Sequence, residues 1–235
     1  MPRSHQDHSP PAIAKPTGLR ERMLQVRHEA IIDTVNRLLA ERGYDMMTVD
    51  EVAADVGIAK ASLYKHFASK EALAAAAMKR VLDRALAQLN ELQALPDATA
   101  AHRLRGIVRW DLQTQDDGQM PSLPSQNSAL RSVLTSDRDY MGLLMNVSDR
   151  LGEWIVQAQR DGDIDAELPP ELVLFTIFAR ACDPVLPALK AAGHPPQQVI
   201  DWVLRTCFFG LGGPPAGAEV ARPVAPAAKG RATKK

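Results

Sequence analysis

Aromatic residues and cysteines are both scarce in this chain. Trp, Tyr and Phe together make up 5% of its 235 residues. Ala and Leu dominate long stretches instead, and runs of β-branched residues are short. This composition disfavours a sheet and favours an all-helical protein. The two cysteines, Cys182 and Cys207, lie in apolar helical patterns, which suits buried thiols in a reducing cytosol better than a disulfide framework.

The chain has no net charge, but its charges are unevenly distributed. Residues 1–80 carry 12 Lys and Arg against 10 Asp and Glu, residues 81–220 carry 11 against 18, and residues 221–235 carry 5 basic residues and no acidic ones. Attraction of the whole molecule to nucleic acid would therefore be weak. Any affinity for DNA must come from a local patch.

Signals for export and for catalysis are also missing. The sequence has no run of about 18 uncharged apolar residues, so it predicts no transmembrane helix. Residues 1–18 lack the apolar segment of a signal peptide, and the HExxH, CxxC, GxSxG and phosphate-loop patterns do not occur. These absences favour a cytoplasmic protein that is not an enzyme and that needs no cofactor or metal.

The composition divides the chain into four parts. We expect a disordered, proline-containing leader at 1–18 and a disordered basic tail at 212–235, which is rich in Gly, Pro and Ala. Between them the helical signals predict two helical domains, at 19–68 and at 69–211.

Helix start and stop signals are clear in the first domain. A helix over 21–42 is followed by Gly43, and Thr48 with Glu51 forms a capping-box pattern at the start of a second helix that Gly57 ends. A short third helix is expected at 60–67. Ser69 is the predicted N-cap of a fourth, which runs to about 94.

Helical patterning continues through the second domain. It predicts helices at 97–115 and 126–134 and another that begins at Ser136 and runs to 160. An apolar segment at 170–191 should be kinked by Pro184 and Pro187, and a last helix opens at the double proline 195–196 and runs to 211.

The short third helix has an unusual polar face. In the stretch ASLYKHF, the apolar Leu63 and Phe67 share one side, and small, hydroxyl-bearing, aromatic and cationic residues occupy the other. Such a face fits the major groove of DNA, and the spacing between the second and third helices is that of a helix-turn-helix. An ordinary amphipathic helix with a solvated polar side is the alternative.

The segment VGIAKASLYKHFASKEAL resembles the N-terminal domain of the TetR family of bacterial transcriptional regulators, and the match covers about 26–73. The resemblance implies that the domain at 19–68 is a DNA-binding domain of three helices, and that the domain at 69–211 is a helical body that binds an effector and forms a dimer. It assigns operator contacts to Lys60, Ala61, Ser62, Tyr64, Lys65 and His66, and phosphate contacts to Thr48 and Lys70. The sequence departs from the family at Ala59, where a capping Ser or Thr is frequent, and at Ala61, where Gly is common.

The family reading also implies an effector cavity in the body. Large apolar, sulfur-bearing and aromatic residues suit such a cavity, with plain core packing as the alternative. The candidates are Met78, Leu82, Trp110, Met120, Met141, Met145, Trp154, Phe175, Phe178, Arg180 and Asp183. The last two lie in an apolar segment, so they should pair with each other, cross a dimer interface or orient a polar group of the ligand.

Surplus hydrophobicity at 170–191 and 197–211 predicts a homodimer, because monomers rarely expose so much apolar surface. Together these features predict a ligand-responsive dimeric regulator, either a repressor of a palindromic operator released by a small molecule or an activator of the same architecture. The rival interpretation is a helical small-molecule-binding or adaptor protein that lacks sequence-specific DNA binding.

Overall fold

The computed structural model describes residues 18–121 and 129–211, and within those ranges every regular element is a helix. The fold-class prediction is confirmed: an N-terminal helix-turn-helix domain precedes a C-terminal helical domain. The α-helices are α1 (Leu19–Met46), α2 (Val49–Val56), α3 (Lys60–Leu63), α4 (Lys70–Gln93), α5 (Ala100–Asp116), α6 (Ala129–Ser136), α7 (Arg138–Arg160), α8 (Pro170–Phe178), α9 (Val185–Ala191) and α10 (Pro196–Phe209), with a 3-10 helix at Ala179–Cys182. The predicted tail, and the predicted leader except Gly18, lie outside the described residues.

Side-chain caps and glycines set the boundaries of the first helices. Thr48 Oγ1 accepts the Glu51 N–H at 3.2 Å, and Glu51 Oε2 accepts the Thr48 N–H at 3.0 Å, so the predicted capping box forms. Ser69 Oγ caps α4 by accepting the Ala72 N–H at 3.1 Å. Gly57 ends α2 in the left-handed region, with φ 72°, where a side chain would be strained.

Two predicted boundaries and one predicted kink are wrong. The helical part of α3 ends at Leu63 and continues to residue 66 only as turns. Asp137, rather than Ser136, caps α7, since its Oδ1 accepts the Asp139 and Tyr140 N–H groups, each at 3.0 Å. Pro187 produces no kink, because it lies in the first turn of α9, where its missing N–H costs nothing.

Segment 170–191 is broken rather than merely kinked. Helix α8 tightens into the 3-10 helix and ends at Asp183, and α9 starts after Pro184. By length and by a mean hydropathy of 1.6 over an 18-residue window, this segment passes as a candidate membrane span, although no such span was predicted, and 22% of that window is buried. The ion pair between Arg180 and Asp183 lies in its middle, and such a pair is costly in lipid.

Two hydrophobic cores share helix α4. The N-terminal core joins α1, α2 and α3 to the first turns of α4, as far as Met78, and also receives Leu130 and Leu134 of α6. The body core joins the second half of α4, from Ala85 onward, to α5, α7, α8, α9 and α10. Because one continuous helix enters both cores, the position of the helix-turn-helix depends on the body.

Candidate nucleic-acid interface and effector cavity

Helix α3 presents the polar face that the sequence predicts. Leu63 is fully buried and Phe67 nearly so, and they anchor the helix in the N-terminal core. Tyr64 is 45% exposed on the opposite side, where Lys60, Ala61 and Lys65 are exposed as well. Ser62 and His66 are half-buried at the flanks. All six predicted operator-facing residues therefore belong to one short, solvent-accessible segment.

The acidic residues of α2 are neutralised by neighbouring cations. Asp50 accepts a hydrogen bond from Lys60 Nζ at 2.9 Å, and Glu51 accepts one from Arg42 Nη1 at 2.7 Å. Asp55 pairs with Arg37 of α1. The bond from Lys60 to Asp50 raises the pKa of that lysine, which stays charged. These pairs reduce the repulsion that α2 would otherwise exert on a phosphate backbone.

Lys65 differs from the other cations of this surface. Lys60 is held by Asp50. Lys70 Nζ lies 4.4 Å from the centroid of the Tyr44 ring and 3.4 Å from the carbonyl oxygen of Asp45. Among the described residues, Lys65 has no such partner, and its side chain is exposed. Its ammonium is thus available to an external acceptor.

The two predicted phosphate contacts flank α3. Thr48 is exposed at the start of α2. Lys70 is the first residue of α4, where the helix N-terminus and a cation can serve one anion. Tyr44 supports this corner: its hydroxyl donates to Glu71 Oε1 at 2.7 Å, and burial together with that bond raises the pKa of the phenol.

A histidine of α1 packs against the turns that follow α3. His28 stacks on Phe67 with ring centroids 4.8 Å apart, and the His66 ring lies 6.4 Å from His28. Burial, and then the nearby His66, lower the pKa of His28, which favours its neutral form. Sequence reasoning missed His28 and Tyr44. Both lie on or beside α1, and their roles depend on which face of that helix meets α3 and α4.

The predicted effector residues are dispersed through the body and beyond it. Met78 is in the N-terminal core, while Leu82, Trp110 and Phe178 pack at the edge of the body core. Trp154 is buried and donates its indole N–H to Gln93 Oε1 at 2.9 Å. Met141 is half-buried, and Met145 and Phe175 are exposed.

Two of the candidates, Met120 and Asp183, line one cleft of about 410 Å³. Arg180 pairs with Asp183, Nη1 to Oδ2 at 2.5 Å, which is the first of the three arrangements considered for this pair. Both cysteines are half-buried and outside any disulfide, less enclosed than the sequence suggested. In the described ranges, no group of His, Cys, Asp and Glu could hold a metal ion.

An apolar surface runs along α8 and α10. Leu172 and Phe175 of α8 are exposed, as are Trp202 and Phe209 of α10. Phe175 is 69% exposed. Leu168 and Leu172 line a cleft of about 310 Å³ that is bounded on the other side by Cys207 and Phe208. A surface of this kind is typical of a protein contact.

The helix-turn-helix region matches a known protein family. Residues 31–77 match the family model described as bacterial regulatory proteins, tetR family. The helix-turn-helix domain of this chain belongs to the TetR family. Over 55 residues it is 44% identical to the biofilm operon icaADBC HTH-type negative transcriptional regulator IcaR of Staphylococcus aureus, a match that covers 23% of this chain and 30% of that protein. The chain thus spans less than a third of that TetR-type relative.

Solved structures extend the similarity to the body. The fatty acid degradation regulator FadR from Bacillus halodurans superposes with a TM-score of 0.62 at 20% identity, over 79% of this chain and 96% of that one. AibR in complex with isovaleryl coenzyme A and operator DNA superposes with a TM-score of 0.55 at 22% identity, over 77% and 98%. At these identities the likeness shows a shared fold.

Proposed function

We propose that this chain is a dimeric transcriptional repressor that binds a palindromic operator through α3 and is released from it by a small-molecule effector. The observation that carries the proposal is the exposed face of α3, with Tyr64 and Lys65 directed to solvent while Leu63 and Phe67 hold the helix in place. The membership of this domain in the TetR family supports it.

The proposed division of labour follows from the side chains. The ammonium of Lys65, which has no protein partner among the described residues, reads a guanine edge or a nearby phosphate. The hydroxyl groups of Tyr64 and Ser62 donate hydrogen bonds to phosphate oxygens of the DNA. The small side chain of Ala61 lets the helix approach the bases. Thr48 and Lys70 hold the flanking backbone. Lys60 must exchange Asp50 for DNA, so its contribution is smaller.

The apolar surface of α8 and α10 supports the dimer. Burying it against a symmetry mate would form a four-helix contact and cover the exposed Phe175. A two-fold dimer places its two reading helices roughly 34–36 Å apart, one turn of DNA, which is why the operator should be a palindrome. We interpret the apolar segment 170–191 as part of this protein contact in a cytoplasmic protein.

Release follows from coupling between the two cores. An effector that prefers a body geometry with wrongly spaced reading helices shifts the population away from the DNA-binding form. A coupling of roughly 1–3 kcal/mol changes operator affinity from several-fold to about a hundredfold. AibR, which shares the fold, was solved with both isovaleryl coenzyme A and operator DNA. In this proposal residues 19–68 form the DNA-binding domain, and residues 69–211 form the domain that binds the effector and dimerises.

Operator binding tests the proposal directly. A duplex selected from a random library is titrated with the full chain by fluorescence anisotropy at several salt concentrations. Lys65→Ala should weaken specific binding by about 1–3 kcal/mol and relax the preference at one position. Lys190→Ala, on α9 in the body, is the matched control and should leave binding unchanged.

The result that overturns the proposal is equally clear. If selection enriches no sequence, and binding to any duplex falls with salt alone, the chain has no sequence-specific reader. The adaptor interpretation would then replace the repressor. An enriched palindrome whose affinity ignores Lys65→Ala would show that Lys65 is not a reading residue.

A further inference from the structure

A cleft separates the end of α1 from the helical body. It measures about 410 Å³ and is bounded by Ala40 and Glu41 of α1, by the end of α5 with its following loop, and by the segment from Ala181 to Pro187. We call it the junction cleft. A second cleft, of about 450 Å³, shares Gly118 with it and continues along α1 past Asn36. Neither cleft belongs to the face of α3 or to the apolar surface.

The polar side chains that line the junction cleft offer acceptor oxygens to a ligand. Gln115 uses its Nε2 to donate to the Ala181 carbonyl at 3.1 Å, which leaves Gln115 Oε1 buried without a partner. Asp183 is 2% exposed, and its Oδ1 accepts the Val185 N–H at 2.8 Å. A buried acceptor without a donor costs free energy that a ligand N–H can recover.

The adjoining cleft has the same deficiency. Asn36 is 4% exposed, yet its Oδ1 has no hydrogen-bond partner. It lies on α1 one turn before Ala40, in line with the junction cleft. The two residues that carry these unpartnered amide oxygens, Asn36 and Gln115, therefore line two clefts that share Gly118.

The charge at the rim favours a cation. Glu41 and Asp55 share the single guanidinium of Arg37, so two carboxylates face one positive charge. Of the described residues that line the junction cleft, none is Lys or Arg. Met120 and three prolines, among others, make the rest of the lining apolar. Asp183 is paired with Arg180, so these three carboxylates and two guanidinium groups leave one net negative charge beside the cleft, which disfavours a phosphate-bearing ligand.

We infer that the junction cleft binds a cationic amphiphile, a molecule with an apolar body and a protonated amine. The apolar part packs against Met120, and the ammonium donates to Gln115 Oε1 near Glu41. Because the walls belong partly to α1 and partly to the body, the ligand fixes one against the other. Its action as the effector rests on the repressor function proposed above, whereas its binding does not.

Methyl NMR on the full chain tests the binding. The methionine methyl groups are labelled with ¹³C, and Met120→Leu identifies the Met120 signal. Decylamine should shift that signal and bind about tenfold more tightly than decanol. Decanoate and decanoyl coenzyme A should leave it in place. The signal of the exposed Met145, on α7, is the internal control.

Two variants locate the amine. Glu41→Gln, a change on the exposed side of α1, should weaken decylamine binding about fivefold. Gln115→Leu should weaken it about tenfold. Glu91→Gln, on the exposed side of α4, should change nothing. Decanoate or the thioester binding as tightly as the amine, or an amine affinity that neither variant lowers, would overturn the assignment.

Operator affinity, measured with and without decylamine, separates binding at the junction cleft from the proposed repressor function. If decylamine binds the cleft but leaves operator affinity unaltered, the amine is not an effector. If the chain selects no operator at all, the repressor proposal fails, while the Met120 shift still reports on the cleft.

Discussion

Asp111 should make the protein less stable as the pH rises. This carboxyl lies in α5, only 9% exposed, and has no ion-pair or hydrogen-bond partner among the described residues. Burial raises its pKa from 3.8 to about 8. Since the folded-state pKa lies above the unfolded one, the folded chain keeps a proton that the unfolded chain releases. Stability is therefore greatest below the unfolded pKa and falls as the pH approaches 8.

The magnitude follows from the linkage relation. Between the two pKa values, each pH unit costs about 1.4 kcal/mol of unfolding free energy. From pH 5 to pH 7 the loss is about 3 kcal/mol, a large fraction of a typical domain's stability. Asp111→Asn keeps the shape of the side chain and removes the titration. The variant should therefore be increasingly more stable than the parent as the pH rises.

Urea denaturation followed by circular dichroism measures this difference. Both proteins are unfolded at a series of pH values from about 5 to 8.5, at one protein concentration, because the stability of an oligomer depends on concentration. The difference between variant and parent should grow by about 1.4 kcal/mol per pH unit and level off above the folded-state pKa. Asp149→Asn, at an exposed position on α7, is the control. Parallel pH curves for Asp111→Asn and the parent would refute the reasoning.

Two further substitutions test the reading helix and the apolar surface. Ala59 precedes α3 with extended backbone angles and offers no side-chain cap. Ala59→Ser should therefore stabilise the protein by about 1 kcal/mol, measured by urea denaturation. An unchanged urea midpoint would mean that the hydroxyl does not reach the free N–H groups at the start of α3. If the apolar surface forms the proposed dimer contact, Phe175→Glu should give a folded monomer in light scattering, since a charge at that position would be desolvated in the contact. Met145→Glu, the control on α7, should leave the dimer intact, and a dimeric Phe175→Glu protein would place the contact elsewhere.

Local signals explain why the first domain could be predicted from its sequence. The caps at Thr48 and Ser69 and the stop at Gly57 each act through backbone groups within four residues, so the sequence contains the whole interaction. The missing cap at Ala59 was also foreseen, and α3 has no side-chain cap in the structure. The predicted length of α3 was too great. Residues 64–66 form turns instead of helix, and these turns place Phe67 in the core.

Tertiary contacts explain what the sequence could not supply. Gln115 and Asp183 are 68 positions apart, and nothing in their local patterns indicates that they line one cleft. The pairing of Arg180 with Asp183 was foreseen because the two are three residues apart. Residues chosen for their type alone, such as Met145 and Phe175, are exposed in this chain, since composition does not define which face of a helix is covered.

Helix α4 has a mechanical consequence. It contains 24 residues without a break, and at 1.5 Å per residue it forms a rod about 36 Å long. Its first turns pack in the N-terminal core, and its last turns pack in the body core. A lever of that length turns a tilt of about 5° at one end into a displacement of about 3 Å at the other, close to one base-pair step. A small adjustment deep in the body is thus enough to spoil the register of a protein on its DNA.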